Sequence, residues 1–82
     1  MQQQQFSNTT AQQIHTALIR RKEVERLTAL SRSRLYALIK TGEFPPPIRL
    51  GAMSVAWLET EIHEWIAQRI ADSRKVIAGG AR

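Results

Sequence analysis

Apolar residues along this chain fall into three rhythms, and each predicts a different element. From Arg21 to Thr28 the large apolar positions are Val24 and Leu27, an i, i+3 edge on an otherwise polar, basic helix that Leu18 and Ile19 lead into. A second helix follows over about ten residues. At 100° per residue it places Leu35, Leu38 and Ile39 on one stripe and Ser33, Ala37 and Lys40 opposite, with Arg34 and Tyr36 on the flanks. Ser31 is positioned to cap its first turn, and Gly42 to end it in the left-handed conformation. Between the two helices Leu30 sits where an apolar residue plugs the gap.

After Gly42 the rhythm changes. Three successive prolines, Pro45, Pro46 and Pro47, exclude helix and favour an extended chain. Ile48 and Leu50 alternate with Arg49, and Met53, Val55 and Trp57 alternate with Ser54 and Ala56; with Gly51-Ala52 between them, these predict a small hairpin with one face on the core. The third helix is expected from about Leu58 to Ser73, where Leu58, Ile62, Trp65, Ile66 and Ile70 draw one apolar stripe that packs on the helix pair and hairpin. The fold class is therefore mainly α with a small β-hairpin: a winged helix-turn-helix of three helices plus a wing.

With 82 residues there is room for one thin core. The Gln-rich start has one large apolar residue, Phe6, before Ile14 and is expected to be a disordered tail over residues 1–17. The DNA-binding domain is expected over 18–75 and a flexible C-terminal tail, carrying Gly79-Gly80, over 76–82.

Charge sharpens the picture because the net +5 is concentrated. Between Arg20 and Ser54 eight basic residues (Arg20, Arg21, Lys22, Arg26, Arg32, Arg34, Lys40, Arg49) face three acidic ones (Glu23, Glu25, Glu43), while the chain from Val55 onward is balanced. The whole excess thus lies on the helix pair and the segment after it, as a phosphate-binding footprint requires. Arg32 and Arg34 present planar donor forks suited to guanine edges or phosphates; Ser33 lets the helix approach closely, and Tyr36 can bond a phosphate or pack. The expected partner is double-stranded DNA.

Other chemistries find little support. There is no cysteine, hence no disulfide framework or thiolate metal site. No apolar run approaches the ~18 residues of a membrane span, and no basic leader precedes an apolar segment, so the chain is read as cytoplasmic and nucleoid-associated. His15 and His63 lack partners at metal spacing, and Glu59, Glu61 and Glu64 read as solvated charge on a helix. No cofactor, metal, small-molecule ligand or catalytic residue is expected.

The run of KEVERLT, LSRSRLY, GEFPPPIRLG and SVAWLETEIHEWI, in that order from Lys22 to Ile66, resembles the AlpA family of phage and prophage regulators over about Leu18 to Arg74. The resemblance implies a small winged helix-turn-helix similar to excisionases and to the DNA-binding domain of MerR-like regulators, acting in transcription control of an integrase or excision module. It places the base-reading helix on Arg32, Ser33, Arg34, Tyr36 and Ala37 and the wing on Arg49 to Ser54. The family usually has glycine where this chain has Ala29, which asks for a slightly different turn. It usually has a basic residue at Met53, and often one at Ala37.

The function expected is therefore a sequence-specific transcriptional regulator, without enzymatic activity. Its DNA-binding residues are Arg20, Arg21, Lys22, Arg32, Ser33, Arg34, Tyr36, Ala37, Lys40, Arg49 and Ser54. Alternatives are an excisionase-type architectural protein, or a protein-interaction adaptor using the helix at 58–73. Because one module buries only ~600–1,000 Å² on DNA, copies are expected to associate at repeated half-sites.

Overall fold

The computed structural model describes residues 17–80, with side chains as far as Lys75; the expected tail over residues 1–16 lies outside the described residues. Element order is β1 (Leu18–Ile19), α1 (Arg21–Thr28), α2 (Arg32–Lys40), β2 (Ile48–Gly51), β3 (Ser54–Leu58) and α3 (Glu59–Gly80). The fold is mainly helical, three helices with a small antiparallel sheet, and matches a winged helix-turn-helix.

Two element assignments from the sequence need correction. Leu18 and Ile19 form a strand that pairs antiparallel with β3 (Leu18 with Leu58, Ile19 with Trp57), so the sheet has three strands in the order β1-β3-β2 rather than two. Two residues are too few to show a period of two, and the partner lies 38 or more positions away. Ala17, placed in the tail by composition, is also part of this ladder, its carbonyl accepting the Glu59 amide at 2.8 Å. The third helix runs to Gly80 instead of stopping at Ser73. Arg74 to Ala78 contains neither Gly nor Pro, so nothing in that stretch ends a helix before the glycine pair.

β3 is the hub. It pairs with both other strands and packs against α1 and α3. Trp57 on this strand is fully buried, together with Val24 of α1, Leu35 of α2 and Ile62 of α3; Leu38 and Phe44 complete the core. The alternation expected in the hairpin is only partly kept. Ala56 and Trp57, adjacent and therefore on opposite faces, are both buried, because β1 and the helices enclose the end of the central strand. Leu50 is 47% exposed and Met53, which lies in the turn and not in a strand, 96% exposed.

Both indoles tie down the proline segment. Trp57 Nε1 donates to the Pro45 carbonyl at 3.1 Å and Trp65 Nε1 to the Glu43 carbonyl at 2.8 Å, so the segment that cannot form a ladder through its own nitrogens is held through its carbonyls. Phe44 sits edge-on to Trp65, ring centroids 4.8 Å apart. The apolar stripe of α3 ends early: Ile62 is buried and Trp65 and Ile66 half-buried, but Ile70 is 45% exposed and every side chain from Ala67 to Lys75 is exposed. Among the described residues no helix is long and apolar enough to cross a membrane.

The turn between α1 and α2 keeps a glycine-type backbone without the glycine. Ala29 has φ 64° and ψ 20°, and its amide bonds the Glu25 carbonyl at 2.8 Å, closing α1 in the left-handed conformation. The turn thus adapts in side chain and not in backbone, at a strain of about 1–2 kcal/mol for an L-residue. Ala29→Gly should relieve that strain, less the extra freedom glycine has in the unfolded chain, for a net gain of about 0.5–1 kcal/mol. Urea denaturation is the check: the midpoint should rise with the slope unchanged.

Candidate nucleic-acid interface

The candidate site is built from α2 outward. Ser31 Oγ accepts the Arg34 amide at 3.1 Å, fixing the helix start. At the other end Gly42, with φ 80°, donates to the Ile39 carbonyl at 3.1 Å while Glu43 donates to Leu38 at 2.8 Å, the paired bonds of a Schellman stop. With Leu35 and Leu38 buried on the inner side, Arg32, Ser33, Arg34, Ala37 and Lys40 are all exposed on the rest of the helix. No side chain of Arg32, Arg34 or Lys40 is engaged in an ion pair among the described residues. Tyr36 packs, meeting Trp57 edge-on with ring centroids 6.5 Å apart, and is 39% exposed.

The basic residues before and after α2 divide by their partners. Arg21 is bound to Glu25 one turn on, and Arg26 to Glu23. The Arg26 guanidinium, hydrogen-bonded to Glu23, holds that carboxyl below its usual range, and the carboxylate in turn raises Arg26. Lys22 is exposed and unpaired among the described residues. Between Arg20 and Ser54 the positive groups left free of acidic partners are therefore Lys22, the α2 set, and two arginines with neutral partners. Arg49 on β2 is exposed and donates to the Ala52 carbonyl at 3.4 Å within its own hairpin.

Arg20 is the second of these, and its contact was not legible in the sequence. It donates to Ser54 Oγ at 3.0 Å and to the Val55 carbonyl at 3.1 Å, joining the start of α1 to the wing. Arg20 and Ser54, both expected in the DNA-binding set, are brought onto each other across 34 positions, a pairing with no local signal. Sequence reasoning also missed that Arg69 stacks over Trp65, 4.6 Å from the ring centre. His63 lies 3.5 Å from Glu59, and among the described residues no three or more His, Cys, Asp or Glu side chains gather as a metal site.

A helix pair whose second helix is capped, amphipathic and basic on its outer side, beside a hairpin, defines a winged helix-turn-helix protein. Comparison with known proteins then says which kind. Residues 17–70 match the family described as "Prophage CP4-57 regulatory protein (AlpA)", and the chain belongs to this family of phage regulatory proteins. It is similar to an uncharacterised protein, ORF88, of Enterobacteria phage P4: 49% identical over 57 residues, which is 70% of this chain and 65% of the relative. The chain thus spans just under two thirds of that relative's length. No solved structure matches it.

The Glu23–Arg26 pair gives a local test of this charge division. Its carboxyl pKa is depressed, so the pair's small contribution to stability is present above the unfolded-state value and is lost as pH falls through the folded one. An NMR titration should place the Glu23 midpoint below the ordinary glutamate range and return it there in Arg26→Ala. A Glu23 midpoint that ignores the substitution would mean Arg26 is a free cation like Arg32.

Proposed function

We propose that this protein is a sequence-specific, double-stranded DNA-binding transcription regulator of the phage and prophage type, without enzymatic activity, acting on the nucleoid in the cytoplasm. α2 enters the major groove, where Arg32 and Arg34 read base edges or clamp phosphates and Ser33 and Ala37 allow close approach. Tyr36, Lys40 and Lys22 bind the phosphates beside it, joined by Arg21 through the guanidinium N–H groups that its Glu25 pairing does not use, and the wing, through Arg49 and Ser54 with Arg20 behind it, touches the neighbouring backbone.

The observation that carries this reading is the unpaired basic outer face of α2. Arg26 has a carboxylate of its own on α1, whereas Arg32, Arg34 and Lys40 form no ion pair among the described residues. Membership of a phage regulatory family supports the regulatory part. An excisionase-type role would use the same surface and add DNA bending.

Duplexes selected from a random pool provide the target for a test. If about four to six phosphates are neutralised, log K should fall against log salt with a slope of about −4 to −5, and a slope near zero would sink the proposal. On the selected duplex Arg34→Ala should cost about 1–3 kcal/mol and relax sequence preference. Ser33→Glu should behave likewise, by repulsion in the groove. Arg49→Ala should instead weaken selected and random duplexes alike and flatten the salt slope by about one. Identical profiles for the three variants would contradict the division between a reading helix and a clamping wing.

A further inference from the structure

Two exposed features are left over once the DNA face is assigned, and they have opposite character. One is a knob. Met53 stands at the wing tip 96% exposed, with Leu50 beside it at 47% and the basic Arg49 on the same hairpin. No other large apolar side chain among the described residues is as bare, and a thioether gains little from a phosphate backbone.

The other is an open groove on the far side of the proline segment. Pro45, Pro46 and Trp65 form its apolar floor and Glu61 and Glu64 its rim, with Phe44 continuing it toward Gly42. Its floor is rigid: Trp65 is bonded to the Glu43 carbonyl and braced by Phe44 and Arg69. The helix that supplies the rim has three carboxylates and no Lys or Arg between Glu59 and Ile66. Beside DNA that acidic stretch is repelled by phosphate unless a cation lies over it.

We propose that the groove receives the wing tip of a second copy of this chain: Met53 lies on Pro45, Pro46 and Trp65, and the basic wing faces Glu61 and Glu64. One chain carries both halves of the contact, apolar knob to apolar floor and positive flank to negative rim. Knob and groove are different patches, so the contact is head-to-tail and does not close on itself; copies add in one direction along a DNA array. The alignment on DNA rests on the reading of α2 given above, and the knob-in-groove contact does not. The gain is area: one module covers ~600–1,000 Å² on DNA, and a neighbour held at ~mM effective concentration by the same duplex strengthens both.

The absence of cysteine makes the contact easy to trap. Ala52→Cys, which leaves Met53 in place, is mixed with Glu64→Cys and oxidised in the presence of a duplex bearing two copies of the selected sequence. Asp72→Cys, further along the same helix, replaces Glu64→Cys as the control. The expected result is a crosslinked pair several-fold above the control, lost when Met53→Ser is added to the Ala52→Cys chain while one-site DNA binding stays within about twofold. The double variant Ala52→Cys/Glu64→Cys on a four-site duplex should give a ladder past the dimer. A yield equal to the Asp72→Cys control, a yield indifferent to Met53→Ser, or an Ala52–Ala52 dimer in preference to the mixed pair would overturn the proposal. Duplex-free samples at high concentration score the contact alone, so loss of wild-type DNA binding with a surviving Met53-dependent crosslink would count against α2 as the reader and for the knob and groove.

Discussion

Trp57 is the penultimate residue of β3, the strand that pairs with both others, and through it β3 meets all three helices. Its ring is fully buried against the packing of Val24, Leu35 and Ile62, one residue from each helix, while its indole nitrogen bonds the Pro45 carbonyl at 3.1 Å. A core with so few buried side chains has little redundancy. Replacing such an aromatic with alanine typically costs 3–5 kcal/mol, on the order of the whole stability of a domain this small. One side chain therefore fixes the mutual position of helix pair, proline segment and wing, and Tyr36 on the candidate reading helix leans on its edge.

From that anchor the chemistry of the outer face follows. Because Leu35 and Leu38 are committed inward, the register of α2 is set and the residues between them must face out. Because α1 supplies its own carboxylates, Arg21 and Arg26 are paired in place, whereas Arg32, Arg34 and Lys40 on α2 form no ion pair among the described residues. Arg20 then ties the wing to the start of α1 through Ser54 and Val55, so the wing is fastened to the helix pair by side-chain bonds as well as through the core. Fastening of this kind lowers the ordering cost of binding.

Much of the fold was legible because it is written locally. Ser31 and Gly42 delimit α2 by capping chemistry, the proline run ends helical structure, and the 3.6-residue stripe of α2 survives intact. What was hidden is long-range or conditional. β1 is two residues long and exists only because β3 offers a free edge; Arg20 finds Ser54 across 34 positions. Ile70 continues the stripe of α3 in sequence but lies beyond the body of the domain, so periodicity promised burial that geometry does not provide. Ala29 shows the reverse case. A residue that disfavours positive φ adopts it because helix-pair packing outweighs a strain of about 1–2 kcal/mol. The candidate DNA-facing set was legible as charge on α2, while the division of the remaining arginines between internal partners and solvent required coordinates.

The central claim is that the outer face of α2 meets DNA, and an NMR titration of isotope-labelled protein with a selected duplex tests it most directly. The account predicts the largest shifts at the backbone amides of Arg32 to Ala37 and the side-chain Nε–H groups of Arg32 and Arg34, smaller ones along the wing around Arg49, and almost none from Glu59 to Ile66 on a one-site duplex. Largest shifts on α3, with Arg32 and Arg34 unmoved, would contradict it.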